Sequence, residues 1–201
     1  MVSGAVNAGS RGAQVNWRAT LRRAARRAAE IGGAGLLLVG LVFLALALVS
    51  YHQTDPSGST AAAGPPANWM GTPGAWVAER VLFLFGPISI LFLPLLYVGA
   101  RKLWRLVEEE DADLPHANHA WWRPLGVLLF AMALLGTVMA LVFTGPGGSL
   151  PAGMGGISGL LGARAIEALA NLLPEAGRFW AILAAGLVCL AGGSMLVARV
   201  F

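Results

Sequence analysis

Four stretches of nineteen or twenty residues, each without a charged side chain, divide this chain and decide most of what it can become. They run about 31–50, 81–99, 125–143 and 179–197. A helix rises 1.5 Å per residue, so about 20 apolar residues cross the roughly 30 Å hydrocarbon core of a bilayer. Composition agrees: 57% of the 201 residues are hydrophobic and 12% are charged, against about 25% charged in a soluble domain. A mean hydropathy of +0.69 also excludes a disordered chain. The predicted fold class is an all-α integral membrane protein with four transmembrane helices. Pro87 and Pro94 fall in the second stretch and should bend it, since each lacks a backbone donor.

Orientation follows from Lys and Arg. Eleven of the fourteen lie before the first span, between the second and third, or after the fourth; Arg80, Arg164 and Arg178 fall on the other side. Both termini are therefore expected to face the cytoplasm. Residues 1–30 form a basic cytoplasmic segment and 31–201 a four-helix transmembrane domain. Outer loops span 51–80 and 144–178, and an inner loop spans 100–124. About 30 residues precede a 20-residue apolar run, which fits an uncleaved anchor better than a cleaved secretory signal. Residues 1–29 are Arg-rich and free of acids, so a mitochondrial presequence stands as the alternative.

Trp17 to Ala29 has the Ala, Arg and Leu content of a helix, with Arg18, Arg22 and Arg26 stacked four apart and Arg23 and Arg27 beside them. Next to a membrane, those five arginines are expected to contact anionic lipid, at about 1 kcal/mol each. DNA phosphates are the alternative ligand. In the second outer loop, the apolar spacing from Ile157 to Leu173 predicts a short amphipathic helix, stopped by Pro174. With Arg164 and Glu167 in its middle it makes a poor span, and it is expected to lie on the membrane or re-enter shallowly.

Signatures of catalysis are missing. The sequence contains no GxxxxGK[ST], HExxH, CxxC or GxSxG, so no catalytic or cofactor-binding residue is assigned. Glu108 to Asp113 and the nearby His116 and His119 match no metal-ligand spacing, and no metal site is assigned. The lone Cys189 excludes an internal disulfide. Small residues recur every fourth position at Ala181, Ala185, Cys189 and Gly193, and again at Gly136 and Ala140. Such faces let helices approach closely, within the bundle or between copies.

The first outer loop carries the most information. Trp69 and Trp76 read as interfacial belt residues, and Glu79-Arg80 as an ion pair at the membrane edge. Ser50-Tyr51-His52, Asp55-Pro56-Ser57 and Asn68-Trp69-x-Gly71-x-x-Gly74-Ala75-Trp76 resemble the amino-terminal membrane region of the FtsK/SpoIIIE DNA translocases. Gly155-Gly156-x-x-Gly159 and Gly177 before the fourth span resemble it too, and the likeness covers about residues 30–201. Gly58 departs from it, where the family often has Trp.

The resemblance implies a membrane anchor at the bacterial division septum that couples chromosome segregation to division, in the inner membrane. It implies divisome membrane proteins as partners, with Asp55, Pro56, Asn68, Trp69, Gly71, Gly74 and Trp76 as contact residues. The family's hexameric ATPase and DNA-reading module are not among these residues, so ATP, magnesium, DNA and hexamer formation are expected only through that absent motor. The alternatives are a small permease or channel subunit, or a regulatory membrane domain. Spans lacking any Asp, Glu, Lys, Arg or His argue against a water-lined path.

Overall fold

A computed structural model of the chain describes residues 17–61, 64–110, 122–145 and 150–201. Among these residues there are helices and no strands. Helix α1 covers Trp17–Val49, α2 Gly71–Phe85, α3 Phe92–Glu110, α4 Trp122–Val142, α5 Gly156–Ala170 and α6 Glu175–Val200. A short 3-10 helix, Gly86–Leu91, joins α2 to α3. Four stretches are long and apolar enough to cross a membrane: Thr20–Val49, Gly71–Glu108, Trp122–Val142 and Glu175–Val200.

One of these differs in form from the sequence expectation. Trp17 to Ala29 is helical, as predicted, and runs without a break into the first apolar run as one helix of 33 residues, about 50 Å long. The apolar run 81–99 is not one bent helix. It straddles a break at Gly86, whose φ of 59° and ψ of −152° end α2. Pro87 starts the 3-10 turn, whereas Pro94 sits in the first turn of α3, where a missing N–H breaks no helical bond.

The helices pair lengthwise. α1 runs antiparallel to α3, with Leu37 against Gly99 and Leu103 against Gly33. α4 runs antiparallel to α6, with Leu135 and Ala131 against Gly193, Leu134 against Gly192 and Leu141 against Gly186. The small-residue face of α6 is therefore spent inside the chain. The two pairs are joined through α2, the 3-10 turn and α5, which pack on one another and on α4. One end of the bundle carries Ser50, Met70, Phe143 and Gly155 and is called the loop end. The opposite, terminal end carries Trp17, Glu110, Trp122 and Phe201.

Close approach at the loop end rests on glycine. A Cβ at Gly155 or Gly159 would collide with the backbone of Gly136, and one at Gly162 with Thr137. The Thr137 hydroxyl donates to the Ala133 carbonyl at 2.8 Å, which leaves no polar group unpaired in that contact. The loop helix α5 packs on α4 through its small residues. Gly156, Gly159, Ala163 and Ala170 point inward, while Leu160, Leu161 and Leu169 are exposed.

Candidate partner-contact site

The last carbonyls of a helix run short of intrahelical partners. At the end of α1 two side chains add donors, one of them to a Leu46 carbonyl that also accepts the Ser50 N–H at 3.0 Å. The Ser50 hydroxyl donates to the Leu46 carbonyl at 2.6 Å and accepts the Trp69 N–H at 3.0 Å. The buried Asn68 amide donates to the carbonyls of Ala47 at 2.8 Å and Ser50 at 3.3 Å, and its own oxygen accepts the Met70 N–H at 3.0 Å. Asp55, also buried, accepts the N–H groups of Ala67 at 2.8 Å and Asn68 at 3.0 Å, one on each carboxylate oxygen.

This network explains the spacing Asn68-x-x-Gly71-x-x-Gly74. Gly71 turns the chain into α2 with φ +67°, a conformation L side chains rarely adopt, and its N–H donates to the Asn68 carbonyl at 2.9 Å. A Cβ at Gly74 would overlap the Asn68 side-chain carbonyl, so the glycine gives the buried amide its place. Pro56, half-buried, follows Asp55.

A second set of contacts ties the loop's tip to α2. Glu79 is 2% exposed; its Oε1 accepts the Ser59 hydroxyl at 2.8 Å, and its Oε2 lies 3.4 Å from Arg80 Nε. Among the described residues Oε2 makes no hydrogen bond. The Arg80 guanidinium lies over the Trp76 ring, 5.7 Å from its centroid, and against Gly58. Gly58 therefore opens the space that Arg80 fills. Burial and the carboxylates of Glu79 and Asp55 push the Tyr51 phenol above its ordinary range.

The structure brings Asp55, Asn68, Gly71 and Gly74 together with Ser50 as the frame of the loop. Trp69 and Trp76 are left outside it, 67% and 51% exposed. Sequence reasoning named Asp55 and Asn68 but missed Ser50, Ser59 and the burial of Glu79. Their partners lie 19 and 20 residues away, and no local pattern marks such pairs.

At the terminal end, Arg18, Arg22, Arg23, Arg26 and Arg27 are exposed along α1. Arg18 sits over the Trp17 ring at 5.4 Å, and Arg26 Nε bonds Glu30 Oε1 at 2.9 Å. His116, His119 and the acids Asp111 and Asp113 lie outside the described residues.

Among curated proteins, the chain is similar to the DNA translocase FtsK of Vibrio vulnificus, 32% identical over 103 residues, which is 49% of this chain and 10% of that protein. It is 33% identical over 97 residues to the DNA translocase FtsK of Vibrio parahaemolyticus, 47% of this chain and 9% of that protein. The matched region thus spans about a tenth of the length of these relatives. No solved structure matches. The family described as the 4TM region of DNA translocase FtsK/SpoIIIE matches residues 25–200, nearly the whole chain, and the chain belongs to that family.

Proposed function

We propose that this four-helix region is the membrane anchor and septum-targeting domain of an FtsK-like DNA translocase, acting by position and protein contact without catalysis of its own. The family match over residues 25–200 carries the reading, and the charge bias gives it an orientation. Both termini lie in the cytoplasm of a bacterial inner membrane, which places the loop end outside. Helix α5 then sits at the outer membrane level with Leu160, Leu161 and Leu169 toward lipid. The five arginines of α1 meet anionic headgroups inside. An anchored motor has its later encounters made intramolecular, which raises its effective concentration at the septum. The activity it positions is ATP-driven DNA movement by the rest of such a protein, as a hexamer.

The divisome contact is assigned to Trp69 and Trp76. Exposed tryptophans on a hydrogen-bonded frame offer large contact area at low entropic cost. Asp55, Asn68, Gly71 and Gly74 act on that contact by fixing the frame. In a fluorescently tagged full-length protein, Trp69→Ala with Trp76→Ala should abolish septal enrichment while membrane insertion persists. Unchanged enrichment would remove the assignment. A phosphatase reporter inserted at Ala61 should be active and one fused after Phe201 inactive; the reverse result would overturn the orientation.

A further inference from the structure

The chain repeats one arrangement twice. In the first half a long helix, α1, receives a 15-residue helix, α2, across its loop end, and α3 returns along it. In the second half α4 receives the 15-residue α5, and α6 returns along α4. The short helices correspond at three positions at a constant offset. Each begins on a left-handed glycine, Gly71 at φ +67° and Gly156 at φ +61°. Each then has a buried glycine three residues on, Gly74 and Gly159, and a buried alanine seven residues on, Ala78 and Ala163. The first glycine seats its helix through Asn68 on the end of α1; the second seats it directly on Gly136 of α4. A proline follows each short helix before the returning one, Pro87 and Pro174. Connecting segments differ in length between the halves while the packing order does not, as expected for two versions of one unit.

The halves meet where their short helices meet and where α2 and the 3-10 turn pack on α4. The Ser158 hydroxyl donates to the Leu84 carbonyl at 2.7 Å. Gly86 faces the backbone of Met154 and Gly156 so closely that a Cβ on it would stand 2.6 Å from the Met154 carbonyl oxygen. Among the described residues, no lengthwise packing joins α1 or α3 to α4 or α6. At Gly86 and Gly156 this seam is backbone against backbone.

We propose that the domain is two equivalent helix–short helix–helix units hinged on this glycine seam at the loop end, so that the gap between their terminal ends is its moving coordinate. The proposal stands on the packing alone and does not depend on the tryptophan contact or on the orientation in the membrane.

Spin-label distances in the full chain, carrying Cys189→Ala and reconstituted in nanodiscs, test it. Labels at Trp104→Cys and Arg199→Cys report the gap across units at the terminal end. Arg23→Cys with Trp104→Cys reports within one unit, and Trp76→Cys with Leu161→Cys reports across the loop end. The expected result is a broad terminal-end distribution beside two narrow ones, with Gly86→Val shifting the terminal-end distance and leaving the within-unit distance in place. A terminal-end distribution as narrow as the within-unit one would overturn the hinge. So would a broad loop-end pair beside a narrow terminal-end pair. If Gly86→Val does not insert, the widths in the unsubstituted seam decide the question alone.

Discussion

Asn68 makes three hydrogen bonds with one side chain, and each goes to a backbone group. Asn68→Ala leaves the carbonyls at the end of α1 without these donors, and should lower stability by about 2 kcal/mol, read as thermal unfolding in detergent. Asp55→Ala removes a charged acceptor from two N–H groups and should cost a similar amount. Tyr51 contributes a pH dependence of definite sign. Its folded pKa is raised, so its share of stability is complete below about pH 10 and is lost as pH climbs through the raised value. Tyr51→Phe should flatten the alkaline limb of the unfolding curve. An alkaline limb of unchanged steepness would show that another group titrates there.

At the scale of elements, the apolar runs were legible because a bilayer demands a length and an absence of charge, and both are local properties. The break in the second crossing was not. Pro87 and Pro94 look alike in sequence, yet α3 absorbs one in its first turn while the chain turns at the residue before the other. What selects Gly86 is the backbone around Gly156, some seventy residues away. Gly86→Ala should therefore cost at least about 1–3 kcal/mol, because its backbone conformation is nearly restricted to glycine and the Met154 carbonyl must also move. Pro94→Ala should stay within about 0.5 kcal/mol. The candidate site divides the same way: the tryptophans and the Asn-Gly spacing were visible, but the burial of Glu79 depends on Ser59 and Gly58 folding back over α2.

At the scale of the whole molecule, little of the surface is buried within the chain. Most large side chains of α6 face outward, and its inward face is a row of small residues against α4. Gly193→Leu drives a side chain into Leu135 and Ala131, and should lower stability by about 1–3 kcal/mol as overpacking. Val188→Leu, on an exposed face, should leave unfolding unchanged. Equal losses for the two would mean that the outward face of α6 is also packed.

The lengthwise pairing of α6 with α4, with α5 packed against it as well, has a mechanical meaning. A pull at Phe201 along the helix axis would load that contact in shear, with every small-residue step along the row resisting together. The same force directed sideways would peel the helix away one turn at a time. A helix held this way would resist tension along its axis better than a sideways force.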